Sequence, residues 1–112
     1  MRIQVYLCHP LFDGDIKQNI AMVDELAFYA QAYGVAPVST HECFREVNMD
    51  NNTEVADAIA SGCALLWNSH EMWVFERKLT DRMKGEIAIC KTFRKPVRYV
   101  SEKKLRKGIK PY

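Results

Sequence analysis

Glu86 stands beside Gly85 near the start of a predicted helix that otherwise carries mostly small and apolar residues, and Asp81 stands at that helix's beginning. Two carboxylates placed this way can face one cleft and divide the roles of nucleophile and acid by their environments. Acidic residues in a first helical turn also serve simply to offset the helix dipole. Arg82 and Lys84 flank the same start, where a phosphate can be held electrostatically; the plainer reading is a pair of solvated cations. A second group runs Cys8-His9-Pro10-Leu11-Phe12-Asp13-Gly14-Asp15 and offers an imidazole, two carboxylates and an aromatic ring. Phe12 can stack on a base or sit half-buried as an ordinary loop aromatic. This loop has neither the GxGxxG nor the GxxxxGK[ST] pattern, which argues against a dinucleotide-binding or NTP-hydrolysing role.

The four cysteines, at 8, 43, 63 and 90, form no CxxC pair and are read as reduced thiols, mostly buried. Pairing His41 with Cys43, or Cys63 with His70, does not produce the spacing of a structural zinc site. Neither a metal nor an organic cofactor is expected.

The elements that must position these groups follow from hydrophobic periodicity. Residues 2–8 alternate, with Ile3, Val5 and Leu7 on one face and Gln4, Tyr6 and Cys8 on the other, which predicts a strand ended by His9-Pro10. Asp13 or Asp15 can cap a helix over 15–33, where Ile16, Ile20, Val23, Leu26, Ala27 and Ala30 recur at helical spacing and Gly34 supplies a stop. Residues 35–38 read as a short strand placed towards an edge by Pro37. Residues 40–52 are polar and irregular, and their length suggests a functional loop.

Asn52 or Thr53 can cap a second helix whose apolar face is Val55, Ala58, Ile59, Cys63, Leu65 and Leu66, with Gly62 allowing close packing. Residues 72–75 are a continuous apolar run, as expected of a central strand covered on both faces. A loop over 76–80, a third helix capped by Asp81 and reaching about Phe93, and a last strand over 96–100 complete the order β-α-β-loop-α-β-α-β. Strands alternating with helices favour parallel pairing through right-handed crossovers. The expected fold is an α/β domain, a small Rossmann-like (flavodoxin-like) three-layer sandwich with a mainly parallel four-stranded sheet. Ligands of such sheets bind beyond the carboxyl ends of the strands, so a site is to be sought in the loops at 9–15, 39–52 and 76–86.

At 112 residues the chain fits a single core. Residues 102–112 hold Lys103, Lys104, Arg106, Lys107 and Lys110 against Glu102, leaving 11 basic and 13 acidic residues in the body. A net acidic body disfavours a duplex nucleic-acid binder. The expected organisation is a domain over 1–101 and a basic tail over 102–112, read as a solvated end, with polyanion contact by the tail the less favoured alternative. No apolar run approaches the roughly 20 residues of a membrane span and no leader pattern is visible, so a cytoplasmic location and no membrane partner are expected.

Four stretches together resemble a known family. Val5-Tyr6-Leu7-Cys8-His9-Pro10 looks like the first strand and loop of nucleoside 2-deoxyribosyltransferases and their small bacterial and phage relatives. Glu71-Met72-Trp73-Val74-Phe75, then Thr80-Asp81-Arg82-Met83-Lys84-Gly85-Glu86-Ile87-Ala88, then Lys95-Pro96-Val97, is similar to that superfamily's strand, acidic loop, glutamate-bearing helix and last strand. Asn19 and His41 also fit. The resemblance covers roughly residues 2–100.

It implies a glutamate nucleophile, Glu86, that attacks the anomeric carbon of a nucleoside or nucleotide and expels the base, with Asp81 and Tyr6 as its companions. His9, Pro10, Phe12, His41, His70, Arg82 and Met83 are the expected substrate-binding residues. Many relatives carry an aspartate immediately before the third strand, where this chain has His70; a histidine there can act as an acid near neutral pH. The resemblance further implies a homodimer or higher homo-oligomer, for which Trp67, Trp73, Phe93 and Tyr99 are the candidate interface aromatics.

The leading expectation is thus an N-glycosidase or deoxyribosyltransferase. A non-catalytic binder of nucleotides or ADP-ribose-like molecules is the alternative, and an interaction protein working through its basic tail is a third.

Overall fold

The computed structural model describes residues 1–75 and 78–108. Glu76 and Arg77 of the expected loop, and Lys110 of the basic run, lie outside them. The elements are β1 (Gln4–Cys8), α1 (Ile16–Ala32), β2 (Ala36–Val38), α2 (His41–Phe44), α3 (Asn52–Asn68), β3 (Glu71–Phe75), α4 (Asp81–Thr92), β4 (Val97–Val100) and α5 (Glu102–Arg106). All strand pairs are parallel and the strand order is β2-β1-β3-β4, so β2 is an edge and β3 is central, as the patterns of Pro37 and the 72–75 run predict.

Alternation along the strands divides the core between two faces. Val5, Leu7, Trp73, Phe75 and Val100 point to one side, where they meet Val23, Leu26 and Ala30 of α1 and Leu105 of α5. Tyr6, Cys8, Met72 and Val74 point to the other, against Leu66 of α3 and Met83, Ile87 and Cys90 of α4. Helices therefore cover both sheet faces, and the molecule is the Rossmann-like three-layer α/β sandwich expected. Trp73 is fully buried in the first of these layers, which removes it from the interface aromatics, while Trp67, Phe93 and Tyr99 are about half exposed.

Local chemistry sets the helix ends. Asp15 caps α1 by accepting the Gln18 N–H, and Gly34 follows at a positive φ of 86° that a side chain would disfavour. Asn51 caps α3 and Thr80 caps α4, each one residue earlier than the spacing suggests, so Asp81 is the first residue of its helix.

Four further features differ from the sequence reading. The polar 40–52 stretch contains the single-turn α2, held because Phe44 packs with Leu11, Ile20 and Ala58 in a third apolar cluster. α3 buries only the narrow stripe Ala58, Gly62 and Leu66, leaving Ile59 and Cys63 exposed. Gly62 sets that approach, because a Cβ there would collide with the Thr40 side chain. Only Cys8 and Cys90 of the four free thiols are fully buried. Finally, the run expected as a solvated end begins with α5, which Ser101 caps and which seats Leu105, 1% exposed, against α1. Among the described residues no helix is long and apolar enough to cross a membrane.

Candidate active site

The strand order reverses at β1, whose neighbours β2 and β3 are reached by crossovers on opposite sides. The crevice beyond the carboxyl ends of β1 and β3 is thus the topological switch point, where ligands of doubly wound sheets bind. Tyr6 and Cys8 are two residues apart on β1 and face the same side, towards α4. α4 docks through Met83, Ile87 and Cys90, and this rotation turns Arg82 and Glu86, one helical turn apart, to the flank of the contact.

The Glu86 carboxylate is held from three directions. Tyr6 donates its phenolic O–H to Oε2 at 2.7 Å, Arg82 Nη1 donates to Oε1 at 2.6 Å, and Cys8 Sγ lies 3.7 Å from Oε1. The Glu86 and Arg82 side chains are 14% and 22% exposed, enough for a ligand to reach them. Burial, reinforced by the adjacent Glu86 charge, raises the Tyr6 phenol well above its ordinary pKa and raises the Cys8 thiol as well. Both therefore stay protonated, and Tyr6 acts as a donor to the carboxylate and not as a base.

Arg82 also reaches the loop after β1, donating through Nη2 to the His9 backbone carbonyl. The next carbonyl, of Pro10, accepts from His41 Nε2 at 2.9 Å and lies 3.0 Å from His9 Nδ1. His9 Nε2 is 3.1 Å from Glu102 Oε1, so α5 ties down the far side of the same loop. Since a carbonyl only accepts, His41 carries its proton on Nε2. Burial lowers its pKa to about 4 and keeps it neutral near pH 7, with Nδ1 buried and without a partner among the described residues.

Outside the pair, Phe12, Asp13, Lys78, Asp81, Arg82 and Lys84 line an open groove of about 480 Å³. Asp81 is exposed on this groove, and Phe12, 44% exposed, is braced edge-on against Phe44 at 5.1 Å. A depression of about 520 Å³ beside α2 and α3, lined by Glu42, Arg45, Glu46 and Asp57 among others, contains none of the predicted site residues. Among the described residues no cluster of His, Cys, Asp and Glu is arranged to hold a metal ion.

Of the predicted residues, Tyr6, Arg82 and Glu86 meet directly, His9, Pro10 and His41 form the supporting loop, and Phe12 and Asp81 line the groove. Two do not join them. Met83 is fully buried in the core because α4 uses it to dock on the sheet. His70 precedes β3 at the amino end of the sheet, where its Nδ1 accepts the Gln4 N–H, so the strand's direction carries it away from Glu86. Sequence reasoning missed Cys8 as a neighbour of the carboxylate, although its alternation with Tyr6 was visible. It also missed Lys78 and Glu102, for which no periodic signal exists.

A family model described as a domain of unknown function, DUF7768, matches residues 3–100. The chain belongs to the DUF7768 family. The matched span holds every residue from Tyr6 to Glu86 discussed above and stops short of α5 and Glu102. Among solved structures the fold is similar to that of a 2-deoxyribosyltransferase from the psychrotolerant bacterium Bacillus psychrosaccharolyticus, with a TM-score of 0.65. That likeness covers 88% of this chain and 72% of the other at 15% identity, which establishes a distant fold relationship. A comparison with curated proteins finds no match.

Proposed function

We propose that this DUF7768 domain cleaves the N-glycosidic bond of a nucleoside or nucleotide, with Glu86 as nucleophile. The observation that carries the reading is the Tyr6–Glu86 hydrogen bond of 2.7 Å at the switch-point crevice, which aims a partly exposed carboxylate from beside the groove. A Glu86 oxygen attacks the anomeric carbon as the carbon–nitrogen bond breaks, and the bond's electron pair leaves with the base. The base nitrogen takes a proton from an acid in the groove, the role assigned to Asp81. Water, or a second base, then attacks the anomeric carbon of the glycosyl ester, gives its proton to the Asp81 carboxylate, and displaces Glu86 as a carboxylate. Tyr6 holds the carboxylate in line, and its raised pKa keeps that proton in place through the reaction. The fold shared with a 2-deoxyribosyltransferase supports the choice of chemistry.

A second reading, a non-catalytic nucleotide binder, draws on one specific observation: both Glu86 oxygens are already engaged, Oε1 by Arg82 and Oε2 by Tyr6. Incubating the full chain with a panel of deoxyribonucleosides, their monophosphates and NAD-type compounds, and separating the products by chromatography, decides between them. Free base produced by the wild type and not by Glu86→Ala is the expected result. Tight binding without release of base from any compound supports the binder instead.

A further inference from the structure

The groove beside Glu86 carries more positive charge than a neutral nucleoside needs. Lys78, Arg82 and Lys84 line it together with Asp13 and Asp81. Neither lysine forms an ion pair with a described residue, and both are exposed, so their charges face the groove's solvent. Arg82 is already committed, to Glu86 Oε1 and to the His9 carbonyl. A carboxylate oxygen that accepts a guanidinium N–H at 2.6 Å has a lone pair withdrawn from any attack on carbon. The groove also has one rigid apolar wall, since Phe12 is held edge-on by Phe44 and leaves 44% of its surface open.

We infer that the groove takes a nucleoside 5′-monophosphate in preference to the nucleoside, with the phosphate held by Lys78 and Lys84 and drawing Arg82 away from Glu86. A phosphate gives the guanidinium a dianionic partner with geometry suited to its fork, and so competes with the carboxylate for it. The same movement leaves Oε1 with only the long 3.7 Å contact to the Cys8 thiol, so the group that marks the correct ligand also exposes the nucleophile. Arg82 is in this sense a specificity-determining residue, and the resting ion pair holds Glu86 back from ligands that lack the anion. The inference rests on the proposed function for the placement of the sugar at Glu86, but the preference itself is a matter of binding and is measurable without turnover.

The test measures binding of a deoxyribonucleoside 5′-monophosphate, the matching nucleoside and inorganic phosphate to the full-length Glu86→Gln chain by calorimetry, and base release from the first two by the wild type. The monophosphate is expected to bind at least roughly tenfold more tightly than the nucleoside, as a charge-assisted phosphate contact allows. That margin should shrink as salt rises, and fall to within about threefold in a Lys78→Gln/Lys84→Gln double variant, because the contacts are exposed and screened. Both lysines are on the surface, so circular dichroism should report an unchanged fold. Equal affinity for the two ligands, or no binding of the monophosphate at millimolar concentration, overturns the inference. Base release from the nucleoside with a kcat/KM equal to that of the monophosphate also overturns it, while leaving Glu86 as nucleophile. Preferential binding of the monophosphate without base release upholds the phosphate preference and removes the catalytic reading, and with it the release of Glu86 as a nucleophile.

Discussion

The sheet carries the same three chemical parts at both of its ends. At the carboxyl end, Glu86 is paired with Arg82 and with the phenol of Tyr6. At the amino end of β3, Glu71 is paired with Arg98 Nε at 2.9 Å and with the indole N–H of Trp73 at 3.1 Å. In the second set both donors fall on one oxygen, Oε2, and all three residues sit on strands whose register is fixed, with Trp73 opposite Arg98. In the first set Arg82 and Tyr6 fall on different oxygens, the carboxylate and the arginine ride on a helix, and the arginine also lines an open groove. A buried carboxylate beside an arginine is therefore no mark of a site. What separates the two is which end of the parallel strands they occupy, since the loops and helix starts that open a crevice gather only at the carboxyl ends.

The contrast breaks most sharply under neutralisation of each glutamate. Glu86→Gln is expected to lower base release by on the order of 10³-fold or more, the scale seen when a nucleophile is removed, with little loss of stability. Glu71→Gln should leave base release within about twofold, as a substitution remote from the reacting atoms does. Parallel rates for the two variants would end the distinction.

Next in size is an acid sensitivity at the carboxyl end, from His41. His41 stays neutral when folded down to about pH 4, whereas the unfolded chain takes up the proton near 6.5. The contribution is complete above 6.5 and is lost as pH falls towards 4, amounting to about 3 kcal/mol at 1.4 kcal/mol per pH unit. Urea unfolding between these values should show that slope in the wild type and a flatter one in His41→Gln.

Glu71→Ala should cost about 1–3 kcal/mol in the same measurement, because it removes the buried carboxylate that accepts the Trp73 N–H; the half-exposed Arg98 adds little. Nucleotide binding should be unaffected. The smallest effect is expected from Tyr6→Phe: a stability change of about 1 kcal/mol and roughly a tenfold fall in kcat, with KM nearly unchanged if the phenol only aims the carboxylate. A larger change in KM than in kcat would make Tyr6 a binding residue.

Much of this arrangement was legible beforehand because it is local. The alternation of Val5-Tyr6-Leu7-Cys8 is enough to put Tyr6 and Cys8 on one face, and the spacing of Arg82 and Glu86 puts them on one flank of a helix. Other parts were not legible because they depend on partners far along the chain. His70 was read as a site residue from its place next to β3, but a parallel strand separates the residue before it from the residues after it by its whole length. Met83 was expected in the site only through the resemblance, and one position along a helix from Arg82 turns a side chain by about 100°, which carries Met83 into the core.

By itself the sequence determined the α/β order, the edge position of β2 and the stop at Gly34, and it narrowed the first cap to Asp13 or Asp15. These rest on periodicity and on backbone preferences within a few residues. Only the tertiary structure decided that Glu86 meets Tyr6, that the 9–10 loop is fastened by His41 and Glu102, and that Leu105 draws the start of a basic run into a helix on the core. Each of these joins residues from elements distant in the chain or depends on how a helix is rotated against the sheet, and no local pattern encodes the rotation.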